Sequence, residues 1–355
     1  MTDATVTQPG LPLRHIAYSV GKVLLPIALA LIVGGILLII LGKDPLTYYS
    51  YVIERGIFRS SGLQASLTRM APLLFIAAGL IVAFRAGLWN LGVDGQFLLA
   101  AVCVAAAAPV LTTFLPGWLV MLICFGLAFV IGAVWSLLPA YLKAMHGLNE
   151  IISTLMMSFL GVSFANVLVK ILFNDPDTTV PQTATLAVAD RLGKIGGTTV
   201  HWGVVLGVVS VLAVHFLMTR TAFGLKLQIV GANPRAAIHA GLSLRHLTFA
   251  AFCVSAGLAG IAGSIDILGV YGNVRADWNP AYGILVFPLV FLARFNGYAV
   301  IGFVFFFAVL MIGGESAARR LGVPHFFVLV LVSLVMLFFA LIEFVDLARQ
   351  KRAKA

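Results

Sequence analysis

The sequence predicts an all-α, polytopic integral membrane protein with about ten transmembrane helices. Hydrophobic residues make up 61% of its 355 residues and charged residues only 10%, whereas a soluble domain has roughly 25% charged residues. The apolar residues form runs long enough to cross a bilayer, and the 35 glycines suit close helix packing in lipid. The net charge of +10 comes from basic residues in the connections and the tail. This distribution favours contact with membrane lipid over nucleic-acid binding.

The predicted crossings follow one another along the chain with short polar connections between them. About ten apolar stretches are expected to span: 20–41, 63–84, 93–110, 118–142, 151–173, 202–218, 247–270, 282–293, 298–312 and 323–344. The stretch 282–293 is short for a full crossing, and 313–320 is expected to be an outer connection.

The domain organisation follows from these spans. Residues 1–19 form an N-terminal segment, 20–345 the membrane domain, and 346–355 a basic tail. An even number of spans places both termini on one side. The basic tail and the acid-free connection at 220–246 favour the cytoplasm for that side.

The connection 220–246 predicts a short capped helix. Asn233 can cap a helix N-terminus, Pro234 fits the first helical position, and Gly241 suits the stop. Spacing alone leaves two interpretations open. The helix either lies in a loop that only connects two spans, or it is held by another protein.

Polar residues interrupt the apolar sequence at Asn90, Asp94 and Gln96, and again at Asp266. An aspartate at the bilayer centre costs about 2.5–3.5 kcal/mol on insertion scales, so each carboxylate is expected to face a cavity or a partner. The alternative for the first group is a water-exposed hairpin between two spans.

The sequence predicts neither a catalytic centre nor a metal site. Cys103, Cys124 and Cys253 lie inside apolar runs and lack metal-ligand spacing. The phosphate-binding pattern Gly-x4-Gly-Lys-Ser/Thr is absent. The chain is therefore expected to hold no cofactor, and any ATP and magnesium would be bound by a separate subunit.

Three motifs carry a resemblance to a known family. They are Asn90-Leu-Gly-Val-Asp-Gly-Gln96, Asn149-Glu-Ile-Ile-Ser-Thr154 and Gly231-Ala-Asn-Pro-Arg-Ala-Ala-Ile-His-Ala-Gly241. In this order the chain resembles permease subunits of bacterial ABC importers of the branched-chain amino acid/ribose superfamily, in the branch that imports nucleosides and simple sugars. Two features depart from the family pattern. Asp94 and Asp266 stand where glutamate is frequent, and the turn Arg294-Phe-Asn-Gly297 lacks the usual proline.

The resemblance implies roles for these motifs. The central helix would be a coupling helix that docks on a cytoplasmic ABC ATPase. Its contact or close-packing positions would be Gly231, Asn233, Arg235, Ala236, Ala237 and Gly241. The translocation route would be lined by Asn90, Asp94, Gln96 and Asp266.

The resemblance also implies an assembly in the bacterial cytoplasmic membrane. A second and different permease and an extracytoplasmic solute-binding protein would complete it, and transport would proceed by alternating access. Two rival classes use the same aspartates. In an ion-coupled secondary transporter they would bind a proton or Na⁺, and in an intramembrane aspartyl protease they would cleave a peptide.

Overall fold

The structure is a computed structural model. It describes the backbone of residues 12–324 and 326–354, and the side chains of residues 24–345 apart from 325, 336 and 343. The first eleven residues of the predicted N-terminal segment and the side chains of the basic tail lie outside the described residues.

The described residues form fourteen α-helices without a β-sheet. In chain order they are α1 Pro12–Ile40, α2 Pro45–Ile53, α3 Ser60–Arg85, α4 Val93–Leu111, α5 Gly117–Trp135, α6 Leu137–His146, α7 Glu150–Val167, α8 Gly203–Arg220, α9 Ala222–Ala232, α10 Pro234–His239, α11 Leu244–Asp266, α12 Tyr282–Leu292, α13 Gly297–Leu321 and α14 Phe327–Lys354. Short π-helical turns extend three of these segments, at Glu54–Phe58, Leu168–Leu172 and Ile267–Tyr271.

Among the described residues, seven helical segments are long and apolar enough to cross a membrane. They are Ser60–Arg85, Val93–Leu111, Gly117–His146, Glu150–Leu172, Gly203–Arg220, Leu244–Tyr271 and Gly297–Leu321. Four shorter apolar helices lie at Leu24–Ile40, Ala222–Ala232, Tyr282–Leu292 and Phe327–Ile342. The predicted all-α, polytopic membrane class is confirmed.

Two local predictions need correction. Residues 313–320 are not a connection, because they lie inside α13. The stretch 220–246 holds two helices, since apolar α9 precedes α10 and buries Leu227 completely.

The chain divides into two compact units. One comprises the described residues up to Arg55 together with those from Leu310 onward, and the other is Gly56–Val309. In the first unit α1 packs along α14, and the Tyr49 hydroxyl donates a hydrogen bond to the Leu31 carbonyl at 2.8 Å.

The second unit is built around α3 and α11, which are its most buried spans. Small residues bring the backbones into contact. A Cβ on Gly260 would collide with the Ala128 carbonyl oxygen, and one on Gly263 with that of Phe97. The small-residue face of α11 is therefore a packing surface against α4 and α5.

Candidate functional site

The polar centre of the larger unit lies where α12 begins. This helix has 11 residues, so it is about 16 Å long and cannot cross a hydrocarbon core of about 30 Å. Its first residue, Tyr282, is 1% exposed. The residue before it, Ala281, lies in the left-handed region at φ 52° and gives the helix no side-chain cap. The N–H groups of the first turn therefore need acceptors from elsewhere.

Asp94, in the first turn of α4, supplies one of these acceptors. Its Oδ1 accepts the Gly283 backbone N–H at 2.7 Å. A Cβ on Gly283 would lie 2.7 Å from that oxygen, so the approach requires glycine. The carboxylate also complements the positive end of the α12 dipole. The sequence predicted that Asp94 would face a cavity or a partner, and the partner is the N-terminus of α12.

Asp266, the last residue of α11, reaches the same helix from another side and is 3% exposed. The Tyr282 hydroxyl hydrogen-bonds its carboxyl group, and the Arg69 guanidinium interacts with it electrostatically. Arg69 also donates from Nη1 to the Tyr282 hydroxyl at 2.6 Å. The second carboxyl oxygen of Asp266, Oδ2, is buried without a hydrogen-bond partner. A buried acceptor with unused capacity is costly unless something binds it.

Aromatic rings border this cluster. Phe97 lies 5.6 Å from the Tyr282 ring and 5.9 Å from the Trp278 ring, and Tyr271 lies 5.1 Å from Trp278. These rings place apolar faces, the tyrosine hydroxyls and the Trp278 indole N–H close to the N-terminus of α12. Together with the two carboxylates they give the start of α12 both aromatic ring faces and hydrogen-bonding groups.

Asn90 and Gln96 are placed differently from the two aspartates. Their amides bond each other twice, at 3.0 Å in both directions, and Asn90 also donates to the Ser255 hydroxyl at 3.1 Å. Both side chains are buried, at 0% and 1% exposure. In this conformation they fix the non-helical connection between α3 and α4 to α11, because Asn90 bonds Ser255 on that helix. The structure thus joins Asp94 and Asp266 at α12 but keeps Asn90 and Gln96 in a separate, internally satisfied pair.

The second motif, Asn149–Thr154, contacts the same connection between α3 and α4. Asn149 caps α7 by accepting the Ile151 N–H at 2.9 Å, and Glu150 pairs with Lys143 at 2.7 Å. Thr154 accepts the backbone N–H of Leu91 at 3.1 Å. Asn149 thus caps the start of α7, and Thr154 additionally fixes the connection between α3 and α4.

Sequence reasoning missed Arg69 and Tyr282. A signal for Arg69 was present, because it is a single charge inside the apolar stretch 63–84 and the insertion-cost argument applies to it as it does to aspartate. Tyr282 had no such signal, since a tyrosine at the start of an apolar run is also typical of an interfacial residue.

The second candidate region is α10, and its ends match the sequence prediction. Asn233 Oδ1 accepts the N–H groups of Arg235 and Ala236, both at 3.1 Å. At the other end Gly241 adopts φ 75°, its N–H bonds the Ile238 carbonyl at 2.9 Å, and Leu242 bonds the Ala237 carbonyl at 3.0 Å. These are the two hydrogen bonds of a Schellman motif.

The structure sorts the predicted positions of α10 into two groups. Arg235 and Ala236 are exposed, as are Ile238 and His239, which were not selected from the sequence. Ala237 is fully buried. Gly231 packs against the end of α3, since a Cβ there would lie 2.5 Å from the Arg85 carbonyl oxygen. Ala237 and Gly231 are thus close-packing positions, whereas the outward face is formed by the exposed residues.

Comparison with known proteins identifies the family. Residues 62–341 match the family described as "Branched-chain amino acid transport system / permease component". The glucose ABC transporter permease protein TsgB13 of Haloferax volcanii is 31% identical over 335 residues, covering 91% of this chain and 88% of the relative.

Two further relatives come from other organisms. The nucleoside ABC transporter permease protein NupB of Lactococcus lactis is 26% identical, covering 94% of both chains. The guanosine ABC transporter permease protein NupP of Bacillus subtilis is 26% identical, covering 89% of this chain and 92% of the relative.

These matches extend over both the polar cluster at α12 and the capped helix α10. They support an ABC importer and not the ion-coupled alternative. The chain belongs to the family of branched-chain amino acid transport system permease components, and it is the membrane-spanning permease subunit of an ABC importer.

Proposed function

We propose that this permease imports nucleosides or simple sugars, together with a cytoplasmic ABC ATPase and an extracytoplasmic solute-binding protein. Relatives named for glucose, nucleosides and guanosine support this substrate class. All of these solutes are polyhydroxylated and bear no strong charge. The observation that carries the proposal is a pair of aspartates inside an apolar bundle that contact the first two residues of α12: half-buried Asp94 binds the Gly283 N–H, and buried Asp266 binds the Tyr282 hydroxyl.

The chemistry of the cluster suits such solutes. A sugar or ribose hydroxyl can donate to a carboxylate, and the buried Asp266 Oδ2 has no other partner. Arg69 and Tyr282 offset the charge of this carboxylate, which would favour a neutral solute over a cation. The rings of Phe97 and Trp278 offer faces for a sugar ring or a base.

Asn90 and Gln96 have a different part in this proposal. Their amides satisfy each other, so they preserve the break in the helix from which Asp94 projects. Their predicted place in the solute pathway would require that doublet to open during the transport cycle.

Energy would enter through α10. We place the termini and α10 in the cytoplasm, in a bacterial inner membrane, because the connection 220–246 contains no acidic residue and several basic ones. The exposed face with Arg235, Ala236 and Ile238 would dock on the ATPase, which would bind ATP and magnesium in place of this chain. A second, different permease would complete the core. ATP binding would draw the two docked helices together and switch the side to which the cavity opens.

The first experiment is ATP hydrolysis by the purified complex in nanodiscs, with its binding protein and a panel of nucleosides and sugars. Stimulation by one solute class would identify the substrate. If solute moves down an ion gradient without an ATPase, the proposal is wrong.

The docking face is tested by a matched pair of α10 variants. Ile238→Asp puts a charge on a side chain that is 57% exposed, so it should abolish ATPase binding while leaving the permease inserted. Ile238→Ala should reduce binding less. Retention of the ATPase by Ile238→Asp would rule out this face as the docking surface. Ala237→Asp is unsuitable as a test, because Ala237 is buried and the variant would disturb the fold.

A further inference from the structure

Arg85 joins two parts of the larger unit that are distant in sequence. It is the last residue of α3. Its Nη1 donates to the Gln228 side-chain oxygen at 2.9 Å, and its Nη2 donates to the Phe295 backbone carbonyl at 3.3 Å. Gln228 lies on α9, directly before α10, and Phe295 lies directly after α12. One side chain therefore bridges the segment that carries the docking helix and the segment that carries the polar cluster.

The contact with α9 is rigid. The Gln228 amide nitrogen donates to the Met218 carbonyl at the end of α8, which fixes its oxygen toward Arg85. One turn later, Gly231 touches the backbone at Arg85–Gly87, with no room for a Cβ on either Gly231 or Gly87. A displacement of α9 would therefore displace the end of α3 as well.

The contact with α12 is made at a strained turn. Arg294 and Phe295 have φ values of 49° and 58°, and the Asn296 N–H bonds the Ala293 carbonyl at 2.9 Å. This is the geometry of a type I′ turn, which normally requires Asn and Gly at its two central positions. The Phe295 ring is 5.7 Å from Phe84, and its carbonyl accepts from Arg85, so the end of α3 contacts the turn twice.

Strain of this kind is confined to the surroundings of α12. Within the described residues, the non-glycine residues with positive φ are Asp277 and Ala281 before the helix and Arg294 and Phe295 after it. Such residues persist only where neighbouring structure holds them. A short helix held between strained turns can have two arrangements, which is what an element that switches during transport needs.

We propose that Arg85 is a positioning residue for transport, which passes movement of α9 and α10 to α12 and so to the carboxylates at the other end of that helix. The inference rests on the proposed function of α10 and of the Asp94 and Asp266 cluster. Arg85 itself contacts neither the solute nor the ATPase in this scheme. Its removal should separate ATP hydrolysis from transport.

The test compares variants of the complete complex, with permease, ATPase and binding protein, in proteoliposomes. Arg85→Met keeps the length of the side chain and removes its donors. We expect transport per ATP hydrolysed to fall about tenfold, within the 5- to 150-fold range of typical coupling between sites, while ATP hydrolysis continues. Arg85→Lys should recover part of the coupling. Arg220→Met is the matched control, because Arg220 is an exposed arginine at the end of α8, and its coupling should stay at the wild-type value.

Gln228→Met provides a second test of the proposal, and this test does not depend on the folding of the Arg85 variants. It breaks the bond between Arg85 and α9, together with the Gln228 bond to the Met218 carbonyl, and leaves the Arg85–Phe295 bond in place. It should uncouple ATP hydrolysis from transport to a similar degree. The double variant should be no worse than the more severe single variant, because both interrupt one connection. The proposal would be overturned if Arg85→Met transports as much solute per ATP hydrolysed as the wild type. It would also be overturned if the fold-loss of transport per ATP in the double variant equals the product of the two single losses.

Movement can be measured directly. Spin labels at Ile284 on α12 and Leu160 on α7, which are 67% and 56% exposed, should report an ATP-dependent distance change in the wild type and none in Arg85→Met. An identical change in both would also overturn the proposal. If the wild-type complex itself shows no ATPase, the proposed function has failed, and this outcome is distinct from failure of Arg85 in a working importer.

Discussion

The two short helices α10 and α12 are stabilised in opposite ways. At its N-terminus α10 is capped by its own flanking residue, Asn233, and a left-handed glycine, Gly241, ends it. Around α12, Ala281 before the helix and Arg294 and Phe295 after its C-cap are left-handed but are not glycine. The acceptor for its first turn is Asp94, 189 residues away in sequence.

The difference shows what each helix is suited to do. Because the ends of α10 are satisfied locally, it can keep its shape while its outer face binds and releases a partner. The ends of α12 depend on contacts from α3, α4 and α11, so a shift in any of these helices changes its position. The capped helix α10 is therefore suited to move as a unit with a bound partner. The helix α12 is suited to change position when its neighbours move. The following predictions test this contrast, from the largest expected effect to the smallest.

Replacing Asp94 should affect α12 most. Asp94→Ala removes a charged acceptor from a buried N–H, a change that costs about 1.5–3 kcal/mol. Uptake should therefore fall by about tenfold or more. Asp94→Asn keeps a carbonyl acceptor and should retain much more activity. ATPase association should persist in both variants. Failure of Asp94→Ala to insert or assemble would mean that Asp94 is structural and does not line the pathway.

His201 adds a titratable group to the segment that leads toward α12. It packs against Gly269 in the π-helical turn that leads toward the helix, and it is 1% exposed. Its Nδ1 accepts the Gly203 N–H at 3.1 Å, and burial lowers its pKa from 6.5 to about 4. Because the folded protein disfavours the charged ring, stability is complete above pH 6.5 and falls as the pH drops toward 4.

The expected size of this effect is about 1.4 kcal/mol per pH unit in that interval. Thermal unfolding at pH 7.5 and pH 5 measures it. The variant His201→Asn keeps an acceptor for Gly203 but cannot titrate, so it should lose less stability on acidification than the wild type. If the wild type and His201→Asn lose the same stability between pH 7.5 and pH 5, groups other than His201 dominate the acid sensitivity.

Removing the cap of α10 should have a moderate effect. Asn233→Ala costs about 1 kcal/mol of helix stability. Because α10 is locally stabilised, ATPase binding should weaken about fivefold without loss of the fold. Asn233→Ser keeps the capping oxygen and should behave like the wild type. If the alanine variant binds the ATPase normally, contacts of the folded unit and not the local cap maintain α10.

Relieving one strained residue should have the smallest effect. Ala281→Gly removes a left-handed penalty of about 1–2 kcal/mol but increases the entropy of the unfolded chain by about 0.4–1 kcal/mol. A slight rise in thermal stability is expected, together with slower transport if strain at α12 contributes to switching. Lower stability would show that Ala281 is not strained.

Much of the architecture could be predicted from the sequence. Apolar runs longer than 17 residues have few structural alternatives to a membrane span, and the limits of α3, α4 and α8 agree within a few residues. The helix α10 was predicted to the residue at its start, because caps act through the nearest backbone groups. The helix α9 was missed, since its apolar residues are too few to span and their burial depends on α8.

The candidate site could be predicted only in part. The cost of a buried carboxylate identified Asp94 and Asp266 without reference to structure. The same argument could not tell which partner each carboxylate would find. The family resemblance placed Asn90 and Gln96 in the same pathway, where the structure keeps them apart from the aspartates. Amides can satisfy one another, as this pair does, whereas two carboxylates need donors from other helices.

The sequence by itself thus determined the membrane class, the capped helix and the presence of costly charges, because each depends on residues close together in the chain. Only the tertiary structure decided where those charges find their partners. Helix packing brings the aspartates into contact with their partners, which are Arg69, Tyr282 and Gly283. Arg85 likewise bonds Phe295, 210 positions away in the sequence. Contacts over such separations are set by which helices pack together, and local periodicity does not encode that choice.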